Sequence, residues 1–253
     1  MNPELLAALT FGVFLIALLY SSVGHAGASG YIAVMALFGV APDLIKPTAL
    51  MLNILVASIG AYQFWRAGHF SWALFWPFAA LAIPCAFLGG WLNLPAPGLK
   101  LALGMVLLFS AANFLLRPPA EAAPRAPARA VAIGSGAGIG LLAGLTGTGG
   151  GIFLTPLLIH LKWSPTKTAS AVSALFILCN SAAGLAGTVG AAAVGAAHGR
   201  DWPVLALSLG LAVVIGGAIG SWYGAQRLPH TTIKRCLAAV LTVAGGKLVL
   251  TAA

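Results

Sequence analysis

Leu145-Thr146-Gly147-Thr148-Gly149-Gly150-Gly151-Ile152-Phe153-Leu154 is the stretch on which the reading of this chain turns. It lies between two apolar runs, 130–146 and 151–161, that would otherwise read as membrane helix. Each glycine inside a helix costs roughly 1 kcal/mol relative to alanine, so three in succession weaken a span far more than close packing requires. The triplet is therefore expected to interrupt the helix and to turn main-chain N–H groups toward a ligand. A second, weaker interruption stands at Gly24-His25-Ala26-Gly27-Ala28-Ser29-Gly30.

The rest of the chain supplies the solvent in which these breaks must be understood. Of 253 residues, 60% are hydrophobic and 7% charged, and the mean hydropathy is +1.00, which excludes a soluble domain of this length. The fold class read from this is an all-α polytopic membrane protein. Apolar runs fall at 5–22, 31–41, 47–65, 71–92, 98–116, 130–146, 151–161, 168–194, 202–225 and 233–252, or about eight to ten membrane segments. Glu4, with no Lys or Arg ahead of the first run, argues for a span there and against a removable leader.

Charge narrows the cargo. The formal net charge of +9 comes from 13 Lys and Arg scattered through short loops, so it reads as a topology signal and no nucleic-acid partner is expected. Cys85, Cys179 and Cys236 are isolated in apolar context and show no metal-ligand spacing, so neither a metal, a cofactor nor a disulfide is expected. Glu4, Asp43, Glu121 and Asp201 all fall at termini or in loops. Cation carriers place carboxylates inside the membrane, and their absence from the predicted spans suits a small anionic substrate.

The Pro/Ala-rich stretch 117–129 divides a first transmembrane repeat, 1–116, from a second, 130–253. Leu94-Pro95 and Lys100 correspond to Leu228-Pro229 and Lys234, Gly89-Gly90-Trp91 to Gly220-Ser221-Trp222, and Pro42 to Pro165. Gly24 and Gly27 then fall opposite Gly147 and Gly150, so the two breaks are equivalent points of a tandem duplication. If each break only interrupts one span, the halves run parallel and the basic residues divide evenly. If each break makes a re-entrant hairpin or two short spans, the halves are inverted. Arg66, Arg117, Arg125, Arg129, Lys162, Lys167, Arg227, Lys234 and Arg235 then share one face, against Lys46, Lys100, Arg200 and Lys247. The positive-inside bias favours this inverted arrangement with a cytoplasmic linker.

The candidate substrate-binding residues are Gly24, His25, Gly27 and Ser29 in the first break, and Thr146, Gly147, Thr148, Gly149, Gly150 and Gly151 in the second. Asn53, Ser173 and Asn180 join them from the helices downstream. Broken helices aim amide dipoles at anions near the midplane of inverted-repeat transporters, and hydroxyls and amides add donors without fixed charge. His25 is the histidine placed within a break, where it can titrate or donate. Gly89, Gly216, Gly217 and Gly220, inside uninterrupted runs, read as packing residues. Gly27-Ala28-Ser29-Gly30 also fits the Gly-x-Ser-Gly pattern of intramembrane serine proteases, but the duplicate position has no serine and no later span carries a central histidine. The chain is accordingly read as a non-enzyme.

The duplicated glycine break, the Pro-initiated helices from Pro42 to Asn53 and from Pro165 to Asn180, and the turn Trp65-Arg66-Ala67-Gly68-His69-Phe70-Ser71-Trp72 resemble the TauE/SafE sulfite exporter family. The resemblance spans essentially the whole chain, and its most specific parts are Gly147–Gly151 and Ala171–Ser181. It implies a permease of the bacterial inner membrane that exports sulfite or an organosulfonate, with an anion channel as the alternative within transport. The first break departs from the pattern, reading Gly-His-Ala-Gly-Ala in place of a glycine triplet. A homo-oligomer is compatible with such a protein.

Overall fold

The computed structural model describes residues 3–92, 104, 105, 108, 111, 112, 125–193 and 202–250. Among these residues all regular structure is helical. The elements are α1 (Pro3–Ser21), α2 (Ala28–Leu37), α3 (Pro42–Arg66), α4 (Trp72–Trp91), α5 (Arg129–Thr146), α6 (Gly151–His160), α7 (Thr166–Ala193), α8 (Trp202–Trp222) with a π turn at Tyr223–Arg227, and α9 (His230–Leu250). Gly104, Met105, Leu108, Ala111 and Ala112 are helical as well. Helices α1, α3, α4, α5, α7 and α8 are long and apolar enough to cross a bilayer. With ten residues each, α2 and α6 reach about 15 Å, half of a hydrocarbon core. The linker expected at 117–129 lies outside the described residues up to 124; Arg125 follows it and donates its N–H to the Lys162 carbonyl at 2.9 Å.

Both interruptions break the helix in the same way. Gly24 (φ 80°) and Gly27 (φ 107°) lie between α1 and α2, and Gly147 (φ 75°), Gly149 (φ 75°) and Gly150 (φ 83°) between α5 and α6. These are left-handed values that a Cβ disfavours, which is why glycine stands there. After each break the chain reverses. Val34 packs on Gly12, and Ile16 on both Gly27 and Gly30, so α2 returns along α1. Gly150 likewise faces Ile139 and Ala143 of α5. The short helices then run antiparallel to their successors: Ala28 N–H donates to Asn53 Oδ1, and Thr155 Oγ1 donates to Ser173 Oγ at 2.7 Å.

Two glycine seams tie the first half of the chain to the second. On α5, Gly136, Gly140 and Gly144 lie against the carbonyls of Phe78, Ala82 and Ala86 on α4. On α8 and its π turn, Gly216, Gly220 and Gly224 lie against the carbonyls of Phe14, Leu18 and Ser22. Any Cβ at these positions would overlap a carbonyl or crowd the facing backbone. Lipid offers no hydrophobic drive to bring helices together, so such close backbone approach is what holds them. The packing role expected of Gly89, Gly216 and Gly220 accords with these contacts, as does Gly217 against Val56.

The centre is the crossing of α3 and α7. Asn53 meets Ser181, Gly60 faces Ala174, and Leu50 packs near Gly184, so the two helices run antiparallel. A Cβ at Gly60 would lie 3.9 Å from that of Ala174, within disulfide reach. Gly60→Cys with Ala174→Cys, in a background lacking Cys85, Cys179 and Cys236, is therefore expected to cross-link under mild oxidation. A non-reducing gel-shift with an engineered protease site between the two would read it, and absence of the bond would refute the antiparallel crossing.

Candidate functional site

The two breaks meet at Asn53. This side chain is fully buried; its Oδ1 accepts the Ala28 N–H at 3.0 Å from the first break. Its Nδ2 donates at 3.2 Å to the Thr148 carbonyl of the second break and at 3.2 Å to Ser181 Oγ of α7. One amide thus ties together both interruptions and the helix crossing. Gly149 lies over this group: a Cβ there would come within 2.7 Å of Ser181 Oγ and 2.8 Å of Asn53 Nδ2. Thr148 is buried beside it and shares a 2.9 Å hydroxyl contact with Thr146, which donates to the Leu142 carbonyl.

His25 completes the approach of the breaks. The ring is 2% exposed, its Nδ1 lies 3.3 Å from the Val23 carbonyl, and the main chain of Gly151 faces the same ring. A carbonyl only accepts, so a hydrogen bond at this contact requires the proton on Nδ1. Nε2 has no hydrogen-bond partner among the described residues. Asn180, 1% exposed on α7, has none for either amide atom, and Ser21 Oγ, at the end of α1, is in the same condition. Buried amides are almost always paired, since an orphaned group costs roughly 1–3 kcal/mol. Gln63 Oε1, on α3, is likewise without a hydrogen-bond partner among the described residues.

The predicted residues divide by what their neighbours require. Gly149, Thr148 and Asn53 share the polar centre, and His25 Nε2 and the Asn180 amide are without hydrogen-bond partners among the described residues. Gly24 packs on the backbone of Ser170, Gly27 on the Tyr31 ring, Gly150 on Ile139, Phe176 and Ala143, and Gly151 on Ile177. Close contact and positive φ therefore account for glycine at Gly24, Gly27 and Gly150. Of the amides expected to turn toward a ligand, that of Gly147 closes the last turn of α5 on the Ala143 carbonyl at 2.9 Å. Ser173 is occupied by Thr155, and Ser29 Oγ donates to Tyr20 Oη at 3.2 Å.

Sequence reading left three participants out of the site. Ser181 belongs to the Asn53 group, and Ser170 joins the first break by donating to the Val23 carbonyl at 2.8 Å. Lys46, counted with the loop cations, lies inside α3, where its stem packs on Gly147. The signal for Lys46 was a lone basic residue one turn after the helix-initiating Pro42.

The family model described as Sulfite exporter TauE/SafE matches residues 9–248. The chain belongs to this family. It is also similar to "Probable membrane transporter protein y4hK" of Sinorhizobium fredii (strain NBRC 101917 / NGR234), with 40% identity over 248 residues, 95% of this chain and 96% of that protein. No solved structure matches it. Family and helices together make it a multi-pass membrane transporter, and its work is to pass a small substrate through the bilayer.

Proposed function

We propose that this protein carries a small sulfur oxyanion, sulfite or an organosulfonate, outward across the bacterial inner membrane. The observation that carries the reading is the buried, uncharged polar network of Asn53, with Asn180, the residue before Ser181 on α7, keeping both amide atoms unpaired among the described residues. An oxyanion needs several donors converging on it and no neighbouring carboxylate; Asn180 Nδ2, the Ser21 and Ser181 hydroxyls and the glycine main chain are of that kind. The cargo class and the outward direction follow the family description.

The two halves act as inverted repeats about this centre. The same 123-residue offset relates Gly24 to Gly147 and Gly27 to Gly150, each hairpin reverses alike, and the corresponding helices α3 and α7 run antiparallel. Each half then crosses an odd number of times, the central linker is cytoplasmic, and one repeat rocks on the other to alternate access.

Purified protein in liposomes loaded with sulfite, sulfate, thiosulfate or methanesulfonate is expected to show saturable uptake accelerated by the same anion on the other side. Uptake without that acceleration would make the protein a channel. Transport of a cation with none of these anions would overturn the proposal.

A further inference from the structure

We propose that Lys46 supplies the countercharge for the anion, a site that extends from the Asn53 centre along α3 to the second break; this rests on the anion-carrier reading above. Lys46 stands in the second turn of α3, seven residues before Asn53, so about 10 Å separates them along the axis. Its stem crosses Gly147, where a Cβ would lie 3.1 Å from Lys46 Cγ. Its Nζ donates to the Gly90 carbonyl at 3.3 Å, and Thr188 Oγ1 donates to the same carbonyl at 3.2 Å.

The charge is not balanced by these partners. Lys46 is half-buried within a membrane helix, and among the described residues no carboxylate pairs with it. Asp43, one turn earlier on α3, is exposed. The end of α4 offers the ammonium a carbonyl and a dipole worth roughly half a charge, which orients it without neutralising it. Embedded cations in membrane proteins are paired with a fixed anion or mark the path of a mobile one. The glycine at 147 leaves room for the lysine stem against the break, and Asn180, with both amide atoms unpaired among the described residues, lies on the helix that crosses α3. An incoming anion exchanges with the Gly90 carbonyl on Nζ and passes on to the uncharged centre.

The arrangement recurs in the second half, which argues against an accident of one helix. Lys167, in the first turn of α7, donates to the Ala225 carbonyl at 3.2 Å, where His69 Nε2 also bonds at 3.2 Å. Ser170, one turn on, is the residue against which Gly24 packs. Each break therefore meets the lysine-bearing end of the other half's long central helix.

The test compares methanesulfonate with dimethyl sulfone, a neutral molecule of the same shape, in proteoliposomes. Lys46→Gln keeps a donor for Gly90 but loses the charge. It is expected to raise KM for methanesulfonate by roughly tenfold or more and to leave dimethyl sulfone binding and the melting temperature unchanged. Lys46→Arg should restore most of the affinity. Lys46→Cys, made in a cysteine-free background and aminoethylated after purification, places the cation back on a protein already folded, and affinity should return with it. Unchanged KM in Lys46→Gln, or no recovery on aminoethylation, overturns the role of Lys46 while leaving the carrier reading intact. Failure of the unmodified protein to move any anion overturns both.

Discussion

Gly149→Val is expected to reduce counterflow by two orders of magnitude or more while leaving a folded, less stable protein. The glycine has φ 75°, which in an L-residue costs roughly 1–2 kcal/mol. Its missing side chain is directed at Ser181 Oγ and Asn53 Nδ2. Branched carbons there must displace the amide that joins both breaks, adding about 1–3 kcal/mol of overpacking. The sum is within the roughly 5–15 kcal/mol that folded domains possess, so loss of transport should exceed loss of fold. Gly39→Val is the matched control, since Gly39 has φ 71° but open space where the side chain would go. Both variants carry backbone strain, and only Gly149→Val fills the site. Initial rates and melting curves in detergent decide the matter: equal transport in the two would assign Gly149 to backbone conformation alone.

Gly149 also shows how much of the site is legible in the sequence. Three consecutive glycines in an apolar chain announced a break, because glycine there is costly and left-handed backbone is the usual reason to tolerate it. The offset between Gly24 and Gly147 announced that the break occurs twice. The side-chain environment of each glycine was not legible: the run Gly149-Gly150-Gly151 is uniform in sequence, yet one member faces amides and hydroxyls and the next faces Ile139 and Phe176. Serines show the same limit. Ser135 and Ser221 return their hydroxyls to their own helix at Val131 and Gly217, while Ser170 and Ser181 bond across to another element. Sequence does not distinguish them, since either bond satisfies a hydroxyl in lipid. Lys46 falls just outside the apolar run 47–65 although it lies within the helix read from Pro42; in the structure α3 begins at Pro42 and accommodates Pro47 inside it.

Asn53 and Asn180 separate structure from function by opposite responses to the same change. Asn53→Leu removes the partner of three buried groups, the Ala28 N–H, the Thr148 carbonyl and Ser181 Oγ. At roughly 1–3 kcal/mol for each orphan, with incomplete additivity, the expected result is a fall in melting temperature together with loss of transport. Asn53→Asp should be nearly as damaging, because a carboxylate accepts from Ala28 but repels the Thr148 carbonyl and places a charge among buried dipoles. Asn180→Leu orphans no such partner, since neither of its amide atoms is bonded. Replacing an unpaired buried amide by an apolar side chain of similar volume removes a desolvation cost, so the melting temperature should hold or rise. Substrate affinity should nevertheless fall by roughly tenfold or more, the worth of a lost hydrogen bond to a charged ligand. Stabilisation of the unmodified protein by added sulfite or methanesulfonate should also disappear in Asn180→Leu. A variant that is more stable and still binds would remove Asn180 from the site, and one that is strongly destabilised would mean its amide is bonded within the fold after all.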